Sequence, residues 1–257
     1  MGKVVTPLTD FGTQDSYVSE VKAVLLSAGA SVRMVDITHS IPPFDVNRGA
    51  FQLFRSYGYF PKDTIHLAVV DPGVGTKRRS IYVRTRKYHF VGPDNGLLSW
   101  AVGDCERREG KKASYYEIPA DKGLSSHTFH GRDLFAPFVV KLLRDRKPRL
   151  KKLTKIKGDG FPMCRELDGV QRGHVISQDH FGNIITNIPH GNAKRAELQI
   201  NHRLEKLKSV ENYLSIEEGK FAIIRGSHGF WEIACAKNSA WDHLKVNVGD
   251  DLTLFPA

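Results

Sequence analysis

The residues best equipped for chemistry lie in one short stretch, HLAVVDPGVGTKRR, from His66 to Arg79. His66 to Val70 is an apolar run with the length and β-branched character of a buried strand, and it ends abruptly at Asp71-Pro72-Gly73. Pro72 cannot donate to a sheet ladder and pushes Asp71 towards an extended backbone, so the carboxylate belongs at the mouth of the sheet, not inside it. Gly73 and Gly75 let the following backbone approach a ligand closely. Arg78 and Arg79 then return positive charge to the same rim. A carboxylate, a glycine loop and a guanidinium at a strand's carboxyl end make a site in an open α/β sheet. The same residues also describe a strand-ending turn with surface charge, and either arginine can partner Asp71.

Further acids follow the other early strands: Asp10 and Asp15 after the first, Asp36 at the end of the second. In a parallel sheet Asp10 and Asp71 emerge on the same edge, where a carboxylate suits the hydroxyls of a ribose. No GxGxxG is present, and GVGTKR lacks the spacing of a phosphate loop. Asp10-Phe11-Gly12 has no HRD loop to make it a kinase feature. The stretch SSHTFHGRD (125–133) supplies His127 and His130 beside Arg132 and Asp133. Without HExxH, HxH or paired carboxylates, a metal is not expected there. In the second half, Asp179-His-Phe-Gly-Asn183 groups acid, amide and aromatic side chains on one turn, and Gly226-Ser-His-Gly229 is a second polar turn. Each either reads a ligand or closes a hairpin.

The elements that must position these groups alternate at first. Lys3–Thr9 reads as a strand, and Tyr17 to Ala28 as a helix stopped by Gly29. Ser31–Ile37 is a second strand, and Asp45 caps a helix reaching Tyr57. After the strand at 66–70 come strands at 80–84 and 89–91, and the turn Pro93-Asp94-Asn95-Gly96 leads into a helix at 97–102. A final amphipathic helix spans 133–143. This pattern predicts a mainly parallel sheet flanked by helices over 1–153. A linker follows at 154–167. Short alternating segments at 173–178, 184–188, 196–201, 221–225, 230–235 and 251–255, with no good helix among them, predict a smaller all-β barrel or sandwich over 168–257.

Composition bounds the function classes. At 257 residues, 40% hydrophobic and 26% charged, the chain has the make-up of a soluble globular protein. No apolar segment approaches the roughly 20 residues that span a bilayer, and the first residues lack a signal or transit composition. Gly2 and Thr6 match a myristoylation pattern, which is set aside because the segment reads as the first core strand. Three distant cysteines without CxxC spacing argue against a disulfide framework and favour a reducing cytoplasm. The net charge of +10 is concentrated locally: nine basic residues lie between Lys141 and Lys157 with only Asp145 among them. Without interleaved aromatic signatures, that run reads as a solvated helix end and linker, not a nucleic-acid surface.

Taken together, seven segments in order resemble the S-adenosyl-L-methionine (SAM) hydroxide adenosyltransferase family: TDFGTQDSYV, DITHSIPPFDV, VVDPGVGTKRR, PDNGLLS, TFHGRDLFAP, DHFGNIITNI and GSHGFWEIA. These SAM hydrolases are related to the SAM-dependent fluorinase and chlorinase. The resemblance implies an N-terminal α/β domain with a small C-terminal β-barrel. It also implies a homotrimer that binds SAM between one subunit's N-terminal domain and a neighbour's C-terminal domain. It assigns an Asp-Arg-His catalytic set to Asp71, Arg78 and His130. Halogenating relatives carry a tyrosine in place of Asp71, and the fluorinase a serine in place of Gly131. By the same mapping Asp10 holds the ribose hydroxyls. Asn183 and the backbone near Cys235 read adenine, and Phe44, Phe181 and Tyr213 line the adenosine pocket. Phe129 and Gly131 flank His130 among the substrate-binding positions. Asp179, Ser227 and Glu232 hold the methionine portion, where His228 replaces a fluorinase arginine.

The implied reaction is attack of water or hydroxide on ribose C5′, releasing adenosine and L-methionine with no cofactor and no metal. The sulfonium departs as a neutral thioether, so the difficulty is the nucleophile. Asp71 and His130 are expected to accept its proton, while Arg78 stabilises hydroxide character.

Overall fold

The computed structural model describes residues 3–29, 31–119, 126–144, 148–200 and 203–256. Gly2, Ser125, Asp145 and Asn201, which belong to motifs or runs noted above, lie outside the described residues. The chain divides into two compact units, Met1–Phe161 and Pro162–Ala257.

Among the described residues, the N-terminal unit forms a seven-stranded sheet. Its strands are β1 (Val4–Thr9), β2 (Arg33–Met34), β3 (Ile65–Val69), β4 (Ser80–Arg84), β5 (His89–Pro93), β6 (Ser114–Ile118) and β7 (Lys151–Leu153). Their order is β2-β1-β3-β5-β4-β6-β7. β2, β1, β3 and β5 run parallel, and β4, β6 and β7 extend the sheet with antiparallel pairings, so the sheet is mixed. The parallel strands all deliver their carboxyl ends to one edge. Asp10, His39, Asp71 and Asp94 follow there, and β4 starts from the same edge just after Arg78.

Both faces of this sheet are covered, which is why its strands read as apolar runs and not as alternating ones. Helices α1 (Tyr17–Leu26) and α4 (Ala136–Leu143) cover one face, with Val21, Leu25, Phe138 and Val139 packed on Leu67, Val69 and Val91. Helices α2 (Val46–Ser56) and α3 (Ser99–Glu109) cover the other, where Leu53, Ala101 and Val102 share a core with Leu8, Ala68 and Phe90. The Asp45 carboxylate accepts the Arg48 N–H at 2.9 Å as the cap of α2. Such a cap is worth about 1 kcal/mol.

The departures from expectation have local causes. The second strand shrinks to Arg33–Met34, although Val35, Ile37 and Thr38 still bond to β1. Pro7 directs its carbonyl to that side but has no N–H to give there, so the ladder is interrupted. Helix α3 runs on to Glu109 because charged residues finish it. Buried Asp104 pairs with Arg107 and Arg108, and Gly110 ends the helix in a left-handed conformation. Strands β6 and β7 lie at the sheet's antiparallel edge, where half-exposed residues obscure the apolar pattern.

The C-terminal unit has eight strands among its described residues: β8 (Arg165–Leu167), β9 (Val170–Gln178), β10 (Ile184–Pro189), β11 (Arg195–Ile200), β12 (Arg203–Val210), β13 (Phe221–Arg225), β14 (Phe230–Cys235) and β15 (Asp251–Pro256). Pairing runs β10-β14-β13-β12-β11-β15-β9, and a further β9–β10 pairing closes seven of them into a barrel, with β8 added as a hairpin on β9. Closure removes the free edges. The barrel is filled by Trp231, Ile184, Leu198, Ile223 and their neighbours. The sequence reading omitted β12, where Arg203, Glu205, Lys206 and Lys208 interrupt the apolar pattern. It also omitted one short helix, α5 (Ala240–Leu244), whose first turn is capped by Ser239 Oγ accepting the Asp242 N–H at 3.1 Å.

Gly92 shows how tightly the sheet's centre is built. A Cβ added there would lie 2.3 Å from the Ala68 carbonyl oxygen on β3, a close approach that requires glycine. Gly92→Ala is therefore expected to destabilise the N-terminal unit by about 1–3 kcal/mol, read as a lower urea midpoint. An unchanged midpoint would show that β3 and β5 can separate freely.

Candidate active site

The carboxylate that ends β3 and the guanidinium that precedes β4 meet at the carboxyl edge of the sheet. Arg78 Nε lies 2.8 Å and 3.0 Å from the two Asp71 carboxylate oxygens, and Arg78 Nη2 also donates to Oδ2. Both side chains are buried, 6% and 7% exposed, so the pair is a desolvated, charge-assisted fork and not a surface ion pair. The guanidinium is steadied from behind: Nη1 donates to Ser80 Oγ at 2.5 Å, and the Phe135 ring lies 5.3 Å from its centre. Arg79 points elsewhere. Its Nε donates to buried Asp94 at 2.7 Å, so the structure distinguishes the two adjacent arginines. Sequence reading placed Ser80 only as the start of a strand, and nothing in its local sequence marks it for the site.

His130 completes the row. Its Nδ1 lies 2.8 Å from Arg78 Nη2. Arginine can only donate, so Nδ1 accepts and the proton of the neutral ring is on Nε2. That nitrogen is buried without a hydrogen-bond partner, leaving an N–H ready to donate. Burial, with the Arg78 charge adding to it, holds the His130 pKa below the ordinary histidine value. In this arrangement the acceptor nitrogen of His130 is already engaged by Arg78.

The segment around His130 is set by close packing. Gly75, at φ +76°, would place a Cβ 2.8 Å from the His127 carbonyl oxygen, so the glycine loop and the segment at 127–130 are in contact. A single wide turn at Gly131–Phe135 precedes α4, the kind of π-type turn often found at functional sites. Phe129 stacks edge-on with Phe11 and Tyr17 at 5.5 and 5.1 Å. Gly131 lies beneath these rings, where a Cβ would meet Phe11 at 3.1 Å and Phe129 at 3.2 Å. The His127 side chain, by contrast, is exposed.

Asp10 belongs to the same edge. Its pKa is raised by burial, and the Asp71 charge contributes in the same direction, so the two carboxylates feel one another. Asp10 Oδ2 accepts the Phe44 N–H at 2.9 Å. This bond helps hold Phe44 at φ 68°, a conformation uncommon outside glycine, with its ring 68% exposed. His39 lies beneath, bonded through Nδ1 to Thr9 Oγ1 at 2.8 Å, and burial lowers its pKa too.

The C-terminal unit carries the other nominated residues. Asp179 Oδ1 accepts the backbone N–H groups of Phe181 and Asn183, both at 2.9 Å, and Oδ2 accepts the Asn183 side-chain amide at 2.8 Å. Asn183 is buried, with its amide nitrogen committed to Asp179. Phe181 on the same turn is 76% exposed. The Tyr213 hydroxyl donates to buried Glu232 at 2.9 Å, and burial with this partner pushes its pKa up, the Asp179 charge adding to the effect. Asp179, Asn183, Tyr213 and Glu232 therefore form a neighbourhood. Ser227 pairs with His228 at 3.0 Å on the exposed turn at 226–229. Buried Cys235 ends β14, in register with Phe221. Among the described residues no three His, Cys, Asp or Glu side chains gather as a metal would need.

The profile of the SAM hydroxide adenosyltransferase N-terminal domain matches residues 5–152, and that of the C-terminal domain matches residues 173–253. The (R)-S-adenosyl-L-methionine hydrolase of Methanocaldococcus jannaschii is 32% identical, covering 98% of this chain and 95% of its own. The enzyme of the same name from Thermus thermophilus is 34% identical, covering 96% and 98%. A crystal structure of an uncharacterized conserved protein from Thermotoga maritima superimposes with a TM-score of 0.84 at 30% identity, covering 97% of this chain and 99% of that one.

His130 and His39 are both held neutral, with folded pKa values below the ordinary 6.5. Below pH 6.5 the unfolded chain therefore binds more protons than the folded one. Their contribution to stability is complete above that pH and is lost as pH falls towards the lowered folded values. Resistance to urea is expected to weaken from pH 7.5 to 5.5, and less steeply in His130→Asn. An equal slope in that variant would show that His130 titrates normally in the folded state.

Proposed function

Because the chain belongs to the SAM hydroxide adenosyltransferase family, we propose that it hydrolyses S-adenosyl-L-methionine to adenosine and L-methionine. The observation that carries this reading is the hydrogen-bonded row Asp71–Arg78–His130, buried at the carboxyl edge of the sheet. Near full-length similarity to two (R)-S-adenosyl-L-methionine hydrolases supports it.

In this mechanism a water is placed in line with the C5′–S bond. Its oxygen forms the new bond to C5′ as the C5′–S bond breaks, and the electron pair leaves on a neutral thioether that needs no acid. The water's proton goes to Asp71, whose Oδ1 accepts one Arg78 hydrogen bond and keeps room for another. His130 donates its Nε2–H to the water oxygen, favouring hydroxide character. Arg78 holds both partners and balances the negative charge. Placement of the water contributes several kcal/mol, and proton acceptance typically adds about 10²–10⁴-fold.

Substrate contacts follow the same logic. Asp10 accepts from the ribose hydroxyls. The Asn183 amide nitrogen is occupied, so its oxygen faces the adenine amino group, joined by backbone near Cys235. Phe44, Phe181 and Tyr213 supply apolar walls, with Phe129 and Gly131 shaping the floor beside His130. Asp179 retains roughly one of its four acceptor positions for the methionine ammonium, and Ser227 and Glu232 add polar contacts. The exposed rings of Phe44 and Phe181 support a homotrimer in which each site combines the N-terminal unit of one copy with the C-terminal unit of another. The unpaired cysteines fit a reducing cytoplasm. No added cofactor or metal is required.

Purified protein incubated with SAM is expected to release adenosine and methionine, equally with or without chelator, and to scatter light as a trimer. In ¹⁸O-water the label should enter the adenosine 5′-hydroxyl. Asp71→Ala, Arg78→Ala and His130→Ala should each lower turnover about 10²-fold or more, while His127→Ala stays close to wild type. Unlabelled adenosine would rule out attack at C5′, and a folded variant with full turnover would remove its residue from the catalytic row.

A further inference from the structure

We infer that Asp94 and Asn95 are positioning residues that set the separation of Asp71 and Arg78. This rests on the catalytic reading above but concerns residues that touch neither the proposed substrate nor the reacting atoms. Asp71 leaves β3 and Arg78 enters β4, and these strands are not neighbours: β5 lies between them. The catalytic ion pair therefore spans the end of β5, and the turn leaving that strand is Asp94-Asn95.

This turn grips both sides. On the β3 side, Asn95 Nδ2 donates to the carbonyl oxygen of Val70, the residue before Asp71, at 2.8 Å, while Asn95 Oδ1 accepts the Leu97 N–H at 3.2 Å. On the β4 side, the Asp94 N–H donates to the carbonyl oxygen of Arg79, the residue after Arg78, at 3.0 Å. The Asp94 carboxylate, 1% exposed, accepts from Arg79 Nε at 2.7 Å and Nη2 at 2.5 Å, and from the Lys157 backbone N–H at 2.6 Å. Arg78 Nη1 also reaches the Arg79 carbonyl at 3.4 Å.

Two consequences follow. Holding Arg79 on Asp94 keeps the second guanidinium away from Asp71, so the carboxylate has a single cationic partner. Fixing Val70 and Arg79 to consecutive residues of one turn ties together the backbones on which both catalytic side chains are mounted. An error of about 1 Å at a reacting group can cost about 10²-fold in rate, so slack in this turn passes directly to the water.

The test uses the full chain with Asn95→Ala, Asn95→Asp and Arg79→Lys. Asn95→Asp keeps the side chain's shape but loses the donor, so it serves if alanine does not fold. Arg79→Lys replaces the fork on Asp94 by a point charge at a partly exposed site. The expected result is a kcat loss of about 10–100-fold for the Asn95 variants and a smaller loss for Arg79→Lys, with KM for SAM changed less than about threefold. Carbon-13 histidine labelling gives a readout independent of turnover: the His130 midpoint should rise by about half a pH unit or more as Arg78 loosens. Val102→Ala, in the same core but outside the turn, should lower Tm without changing kcat. Unchanged kcat, or a KM rise at constant kcat, overturns the inference. If wild type does not consume SAM, the functional reading falls instead, and an unmoved His130 midpoint in the Asn95 variants then overturns the positioning role by itself.

Discussion

The ion pair between Asp71 and Arg78 is the constraint on which the N-terminal unit's chemistry depends. Taking a carboxylate and a guanidinium out of water costs several kcal/mol per ion, and their attraction offsets this only when geometry is good and the remaining donors are satisfied. Here they are satisfied: two guanidinium nitrogens face Asp71, one of these also reaches His130, and the third meets Ser80. Such a pair is poor evidence for extra stability. It is better understood as a fixed electrostatic fixture, because neither member can rotate without leaving a buried charge unpaired.

That fixture determines what the histidine can be. An imidazole facing a permanent donor must present a lone pair to it, so Arg78 selects the tautomer and directs an N–H away from the pair. Burial and the adjacent positive charge act together against protonation. The row is therefore polarised in one direction, with an anionic acceptor at one end and a neutral donor at the other. Asp10, with its raised pKa, adds a second carboxylate to the edge and couples it to the backbone of Phe44.

The barrel uses a similar economy. Asp179 binds three N–H groups of its own turn, which fixes Asn183 and leaves the amide oxygen as its free function. Tyr213 and Glu232 lock one another in the same neighbourhood. Gly182 allows this turn: its φ of +83° and the Ser239 hydroxyl 2.4 Å from where a Cβ would lie exclude any larger residue.

Much of this was legible in the chain. The apolar run before Asp71, the helix cap at Asp45 and the change of texture after residue 160 each follow from short-range rules, because strand burial, capping and turn chemistry depend on residues a few positions apart. The identity of Arg78 and His130 as partners was legible only through family resemblance. Strand β6, edge strand β7, strand β12 and helix α5 were not legible, since their apolar patterns are interrupted by polar and charged residues. What only the tertiary structure decided is who meets whom. Arg79, chemically identical to its neighbour, is drawn to Asp94. His130 turned out to have its Nδ1 engaged by Arg78. Asp94 and Asn95 became more than a turn because β5 inserts between β3 and β4. Sequence by itself determined which groups reach the carboxyl edge of the sheet. Strand order determined their pairing, because residues far apart in the chain compete for the same partners only once the sheet has brought them within hydrogen-bond reach.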